Sequence, residues 1–507
     1  MPDQPQPCLI VIFGASGDLT SRKLVPALFG LASAGELPAK TTVLGIARTD
    51  MTDALWRESL ESALRANARD FDVKKWKAFA PRLHYHAADA AAAGEWIGLR
   101  QRIADLGKRF DLRCNTLFYL SVKPSLYEPI IQRIEESGLV TEGRRWCSVN
   151  RDDAPWQRIV VEKPFGLDLE SAQSLNRALG RVFDEEAIYR IDHYLGKDLV
   201  QNLMVLRFAN SIFEPVWNHR YVDHVQITAS EMLGVGQRAG FYDETGAIRD
   251  MIQSHLLQVL ALVAMEPPTS FAAAHLRSEK IKIIDAIEAI GGDHLTDSAA
   301  LGQYGGDGRG PAYHELPDVR EGSTTETFAA VRFQFDNWRW AGTPFYLRTG
   351  KSLAAKRTEV VVQFKQPPAD LFTSKTVPGT VFRRDPNRMV IEIAPHPRLS
   401  LRIEGKVPGQ GLRIDSAEMD LDYVERFGEE PAEAYGPLLL DAMRGDQMLF
   451  PHRAEVEASW RAVMPLIGPD SKVLRKGIRA NYRPGSWGPP AAEELMERDG
   501  RAWHNCA

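Results

Sequence analysis

Cys8-Leu9-Ile10-Val11-Ile12-Phe13-Gly14-Ala15-Ser16-Gly17-Asp18 is the stretch that sets the fold of the N-terminal part of this chain. Cys8–Phe13 is a continuous apolar run, as in a parallel strand buried on both faces. A glycine-bearing turn comes next. After it, Leu24, Val25, Leu28, Phe29 and Leu31 recur at helical spacing. Thr42–Ala47, Leu117–Leu120 and Arg158–Val161 read as further short strands, separated by charged helical stretches. Strand alternating with helix predicts a doubly wound parallel sheet up to about residue 200.

The character then changes. Tyr221–Glu231, Thr324–Asp336, Glu359–Phe364 and Met389–Glu404 read as longer strands, several alternating polar with apolar residues as in a sheet with one wet face. A long helical stretch, Gly246–Met265, lies between the first two, and Gly302–Gly310 is a loop. The expected plan is an α/β dinucleotide-binding, Rossmann-like domain over residues 1–200. An α+β domain with a large, mostly antiparallel sheet occupies 201–507, for substrate binding and oligomerisation.

The turn itself is an imperfect G-x-G-x-x-G. Gly14 and Gly17 are present, while Ser16 and Leu19 stand where the second and third glycines would be. Glycines permit a tight turn, and the N–H groups at the start of the helix that comes after Gly14–Asp18 suit a pyrophosphate. Taken alone, the turn is equally an ordinary strand–helix junction. No Gly-Lys-Ser/Thr closes it, which excludes a P-loop. An NAD site usually carries an acid at the end of the second strand, but here Arg48 follows Ala47. A guanidinium suits a 2′-phosphate, favouring NADP, with NAD the weaker alternative. The competing reading of Arg48 is a solvated surface charge.

Arg190-Ile191-Asp192-His193-Tyr194-Leu195-Gly196-Lys197 is the densest polar cluster. If it is helical, His193 and Lys197 share a face and, with Tyr194, offer donors to one phosphate. Asp192 would then project about 100° from His193, better placed to orient something else. Asp250-Met251-Ile252-Gln253-Ser254-His255 interrupts an otherwise apolar helix, and a buried Asp and His need partners or a task. Oxidising an alcohol requires removal of its hydroxyl proton, for which His is the usual base. A carboxylate on its other ring nitrogen fixes the tautomer, and Asp192 with His255 would form such a pair. Glu162-Lys163-Pro164 ends a strand at the edge of the first domain and would aim Lys163 into the nicotinamide crevice. Pro164 permits a cis bond there. Lys351 and Lys356 flank Ser352–Ala355, as sugar contacts or plain surface lysines.

Composition bounds the partners. The net charge is −5 over 507 residues with no long basic run, which argues against nucleic acid. The cysteines Cys8, Cys114, Cys147 and Cys506 are scattered, which argues against a disulfide framework or a zinc site. Met1–Pro7 does not read as a secretory signal, and no segment is apolar enough for a membrane span. The cytoplasm is the expected compartment.

These residues are familiar together. FGASGDLTSRKL (13–24), VEKPFG (161–166), RIDHYLGK, FANSIFEPVWN (208–218), AGFYDETGAIRDMIQSH (239–255), PFYLRTGKSLAAK (344–356) and GSWGPPAAEELMERDGRAW (485–503) resemble, in order, the hallmark segments of the glucose-6-phosphate dehydrogenase family. The resemblance implies oxidation of glucose 6-phosphate at C1 by NADP, yielding 6-phosphogluconolactone. It makes His255 the general base and Asp192 its partner. His193, Tyr194 and Lys197 become the phosphate site, and Lys163 the residue touching substrate and cofactor. Glu231 and Asp250 become hydroxyl-binding carboxylates, and Lys351 and Lys356 sugar-site lysines. Ser16 and Arg48 become 2′-phosphate contacts, beside Gly14, Gly17, Asp18, Leu19 and Asp89 in the cofactor site. No metal and a homodimer or homotetramer are also implied. Three segments depart from the pattern, and one is Gly94-Glu95-Trp96, where the match beyond Asp89 is loose. Ser121-Val122-Lys123-Pro124 adds a charge near the nicotinamide. Leu449–Ala454 lacks the usual Arg-Asp pair, so the second, structural NADP site of some eukaryotic members is not carried over. The alternatives are a related oxidoreductase for another sugar and a catalytically silent NADP-binding regulator.

Overall fold

A computed structural model describes residues 4–67, 71–140, 155–291, 295–308, 310–369, 371, 385–409, 413–428 and 434–505. Cys147 and Cys506 lie outside them; Cys8 is a buried and Cys114 an exposed free thiol. The chain forms two compact units. One takes Met1–Lys197, Thr269–Arg277 and Ala432–Glu457, the other Asp198–Pro268, Ser278–Pro431 and Ala458–Ala507.

The first unit holds a six-stranded parallel sheet in the order β3-β2-β1-β4-β5-β6. Its strands are β1 Leu9–Phe13, β2 Thr42–Ala47, β3 Leu83–Ala87, β4 Thr116–Leu120, β5 Gln157–Glu162 and β6 Ile188–Ile191. β1 and β4 are buried throughout, as their apolar runs predict. The order reverses between β1 and β4, which opens a crevice at the carboxyl ends of the strands. The two strands without a clean sequence signal, β3 and β6, are the sheet's edges. β6 hides a charge, because Arg190 is buried against Glu185 at 2.6 Å and Asn176 at 2.9 Å.

The second unit holds an eight-stranded sheet in the order β14-β13-β12-β11-β7-β10-β9-β8. Its strands are β7 Val222–Ser230, β8 Ala299–Gly302, β9 Phe328–Phe333, β10 Phe345–Gly350, β11 Arg357–Phe364, β12 Arg388–Ala394, β13 Arg398–Lys406 and β14 Ile414–Asp422. Among the described residues β7–β10 is its parallel pair, and the other pairings are antiparallel. Three expectations need correction. Met389–Glu404 is a hairpin, β12 and β13, because Pro395 and Pro397 cannot donate to a ladder. Thr324–Asp336 contracts to β9. A wet face is confined to the outer strands β12–β14, while β7, β9 and β10 are almost wholly buried.

The helical stretch around Gly246 is also not uniform. Gly246 has φ +71°, which breaks the helix Ala239–Ala247 from the next segment. Ile248–Leu256 is π-helical and Leu257–Ala264 resumes as α-helix. The cause of the break is the buried Glu326, whose carboxylate accepts the Ile248 N–H at 3.2 Å and whose carbonyl accepts that of Ala247 at 2.9 Å. A Cβ on Gly246 would stand 2.6 Å from that carboxylate. No helix among the described residues is long and apolar enough to cross a membrane.

At the end of β1 the turn is locked from several sides. The N–H groups of Gly14 and Ala15 both donate to the Ile46 carbonyl, at 2.8 and 3.0 Å, and Ser121 N–H closes on Phe13 at 2.9 Å. The buried Trp56 packs where Gly45 has no side chain and donates its indole N–H to the Ala15 carbonyl at 3.2 Å. Gly14 has φ +92°, and a Cβ there would lie 2.0 Å from the Ser121 carbonyl oxygen. Gly14→Ala should therefore lower the thermal unfolding midpoint by roughly 5 °C or more, through strain plus a backbone clash. An unchanged melting curve by circular dichroism would contradict this account of the turn.

Candidate active site

In the first unit, the candidate residues sit at the carboxyl ends of parallel strands. Gly14–Leu19 comes after β1. Gly17 N–H closes on the Gly14 carbonyl at 3.0 Å, Thr20 Oγ1 donates to the same oxygen at 3.1 Å, and Ser16 is exposed. The turn therefore leads straight into helix, with exposed Asp18 drawn to Arg22 at 2.6 Å. A tight turn made possible by a missing side chain, opening into a helix, fits a dinucleotide's phosphates. Arg48 is exposed just past β2, two residues beyond the Ile46 carbonyl that holds the turn. Asp89 is exposed past β3, where its carboxylate accepts the Ala91 N–H at 3.0 Å. Lys123 is exposed after β4.

Lys163 comes directly after β5. That strand is not the edge of the sheet, because β6 lies outside it. The Lys163–Pro164 bond is cis. Glu162, next to Lys163, is gripped by tyrosines. Its carboxylate accepts the Tyr119 hydroxyl, and its backbone carbonyl accepts the Tyr127 hydroxyl at 2.9 Å. Sequence reasoning missed this residue, although an acid closing the apolar run Ile159–Val161 was the available signal.

Asp192–Lys197 is a turn after β6 rather than a helix, which begins only at Asp198. The buried Asp192 makes the difference. Its carboxylate accepts the Tyr194 N–H and its carbonyl the Leu195 N–H, both at 3.0 Å, while Lys197 N–H reaches the Tyr194 carbonyl at 3.1 Å. A side chain bonding its own backbone two residues on competes with helix. The expected grouping of His193, Tyr194 and Lys197 survives for another reason. Lys197 Nζ stands 3.7 Å from the centre of the Tyr194 ring, and the His193 ring meets that ring edge-on at 5.2 Å. The angular argument that Asp192 points away from His193 around a helix does not apply.

In the second unit, Glu231 and Lys351 form an ion pair at 2.7 Å. They are 120 residues apart, but each comes directly after one strand of the parallel pair β7–β10, whose last residues, Ser230 and Gly350, are in register. Lys351 is thus not a free surface lysine, whereas Lys356 is exposed. The Lys351 ammonium stands 5.6 Å from the centre of the buried Tyr242 ring. Burial raises the Tyr242 hydroxyl pKa well above its usual range, with Asp250, Glu326 and Glu231 among the charges adding to the rise. Asp250 and Glu231 thus act electrostatically on the buried hydroxyl of the ring near which Lys351 stands.

Asp250 and His255 both lie on the π-helical segment, and His255 is buried. In an α-helix five residues overshoot a full turn by about 140°. Hydrogen bonds that span five residues bring Asp250 and His255 nearer to one face. This backbone has no sequence signature of its own. It places two candidate residues that apolar periodicity alone would have set well apart.

Known proteins share this architecture. Residues 11–202 match the family described as "Glucose-6-phosphate dehydrogenase, NAD binding domain", and residues 204–504 the one described as "Glucose-6-phosphate dehydrogenase, C-terminal domain". A glucose-6-phosphate 1-dehydrogenase of Aggregatibacter actinomycetemcomitans is 42% identical, over 98% of this chain and 97% of its own. One of Mycolicibacterium smegmatis is 41% identical over 100% and 99%. A solved glucose-6-phosphate dehydrogenase in complex with its substrate glucose 6-phosphate superposes with TM-score 0.87 at 33% identity, covering all of both chains. A glucose-6-phosphate 1-dehydrogenase from Mycobacterium avium gives 0.80 at 35%, over 99% of each.

Proposed function

The chain belongs to the glucose-6-phosphate dehydrogenase family, and from that membership we propose how its own residues divide the work. It is an oxidoreductase that converts D-glucose 6-phosphate at C1 to 6-phospho-D-glucono-1,5-lactone with a nicotinamide dinucleotide, the first oxidative step of the pentose phosphate pathway. The dinucleotide, when bound, supplies the hydride acceptor.

His193, Tyr194 and Lys197 hold the substrate phosphate, the ammonium and imidazole as charge-assisted donors. Glu231, Asp250, Lys351 and Lys356 hold sugar hydroxyls. The Glu231–Lys351 pair offers an acceptor and a donor side by side. His255 takes the C1 hydroxyl proton as hydride leaves the carbon, and Asp192 orients the imidazole and stabilises its charged form. Lys163 contacts both substrate and cofactor. Gly14, Ser16, Gly17, Asp18, Leu19 and Asp89 line the cofactor site. Arg48 and Ser16 read a 2′-phosphate, so NADP is the preferred dinucleotide. The assembly is a homodimer or homotetramer in the cytoplasm. What carries this reading is His255, buried on a π-helical stretch within an intact DMIQSH segment.

Reduction of NADP and of NAD is followed by absorbance with glucose 6-phosphate and with glucose. Equal rates on the two sugars would overturn the phosphate site. His255→Asn should lower kcat by roughly two to four orders of magnitude with KM little changed; a rise in KM alone would show that the base is assigned wrongly. Lys197→Ala should raise KM for glucose 6-phosphate by roughly tenfold or more, and an unchanged KM would remove it from the phosphate site. Arg48→Ala should weaken NADP selectively, whereas a parallel loss with NAD would mean that it does not read the 2′-phosphate.

A further inference from the structure

Glu162 has no part in the roles just assigned, yet it immediately precedes Lys163. β5 runs Gln157-Arg158-Ile159-Val160-Val161-Glu162, with Ile159–Val161 fully buried, and closes on an acid. The carboxylate accepts the Tyr119 hydroxyl from β4 and the Tyr435 hydroxyl from the helix Tyr435–Arg444. The Tyr127 hydroxyl, from the helix Tyr127–Ser137, holds the Glu162 carbonyl at 2.9 Å. Tyr119 and Tyr127 are themselves buried. Three tyrosines from three elements of one unit thus converge on a single residue.

A hydrophobic side chain would fill such a site without the cost of desolvating a carboxylate. What only the carboxylate supplies is an acceptor for the hydroxyls and a charge beside Lys163. Lysine has a long, flexible stem, so its aim depends on what fixes its base and on the charges near it. We propose that Glu162 is a positioning residue for the dehydrogenase reaction: clamped by the three tyrosines, it fixes the backbone and the local charge from which Lys163 reaches substrate and cofactor. The proposal rests on the reading of Lys163 given above.

The titratable groups facing Glu162 are Tyr119, Tyr127, Tyr435, Lys163 and Asp192. Burial pushes its carboxyl up to about 7, against the pull of the tyrosine hydrogen bonds and Lys163, with Asp192 adding to the rise. Above that pH Glu162 is charged and unlike glutamine. Below it the protonated acid and the amide are close in shape and charge.

The test is a double-mutant cycle in kcat/KM with Glu162→Gln, Lys163→Ala and the pair, in the full chain. Glu162→Gln is expected to lower kcat/KM by roughly tenfold or more near pH 8 while keeping the parent's circular dichroism, and to add little to the loss in Lys163→Ala. The ratio of parent to Glu162→Gln activity should shrink as pH falls through about 7. A purely structural residue would give neither the coupling nor that pH trend. Additive losses, or a ratio flat across pH, would overturn the proposal while leaving Lys163 in its role. A fully active Lys163→Ala would overturn both. Should Glu162→Gln fold poorly, Tyr435→Phe removes one donor and keeps the acid. A smaller loss that vanishes on the Lys163→Ala background supports the proposal, and an additive one overturns it.

Discussion

Two backbone amides share one carbonyl at the centre of the first unit. The Ile46 oxygen accepts from both Gly14 and Ala15 and so fastens the turn after β1 to the end of β2. That fixes the start of the helix beyond the turn and sets Arg48 beside it two residues later. It also forces the positive φ of Gly14, whose missing side chain lets the Ser121 carbonyl approach. Trp56 seals the arrangement from the other side, filling the space that Gly45 leaves and capping the Ala15 carbonyl. Fully burying such a ring is worth about 2–3 kcal/mol, so the turn is held by the core as well as by its own hydrogen bonds.

The second unit solves its own positioning problem with strand direction. A parallel pair inside an otherwise antiparallel sheet makes β7 and β10 end on the same side, which brings Glu231 to Lys351. The ion pair is partly exposed and contributes at most about 1 kcal/mol to stability. Its worth lies in placing an acceptor and a donor together. Glu326 does the corresponding work for the helix, fixing its entry at Gly246 and hence the start of the segment that carries Asp250 and His255.

The parts that were legible in the sequence are those encoded locally. Buried parallel strands announce themselves as apolar runs, and β1, β2, β4 and β5 were read within a residue at either end. Charged and glycine-rich clusters likewise marked the turn, Lys163 and the Asp192–Lys197 segment. What escaped was decided by competition or by distance. RIDHYLGK has acceptable helical spacing, but the Asp192 carboxylate satisfies its own turn and the helix starts later. β6 was hidden by Arg190, whose charge is answered by Glu185 and Asn176. The Glu231–Lys351 pair depends on a pairing between strands 120 residues apart, which no window along the chain contains. The phosphate cluster, the Asp192–His255 pair, Lys163 and Arg48 are readable from the residues themselves, whereas the roles of Glu231, Asp250, Ser16 and Asp89 rest on the likeness to a family.

The wide turn at Ile248–Leu256 has a consequence for how such a chain diverges. A π-helical stretch amounts to an α-helix with a residue to spare, and the helix continues in ordinary form after it. Loss of one codon within it would let the backbone close into regular α-helix, leaving the sheet and the Glu326 anchor in place. With the lost residue between them, Asp250 and His255 would stand four apart on an α-helix, about 40° from each other around its axis, and would still share a face. A length change that elsewhere in a helix would turn every later side chain by about 100° is absorbed at this point, so scaffold and reacting pair are inherited together.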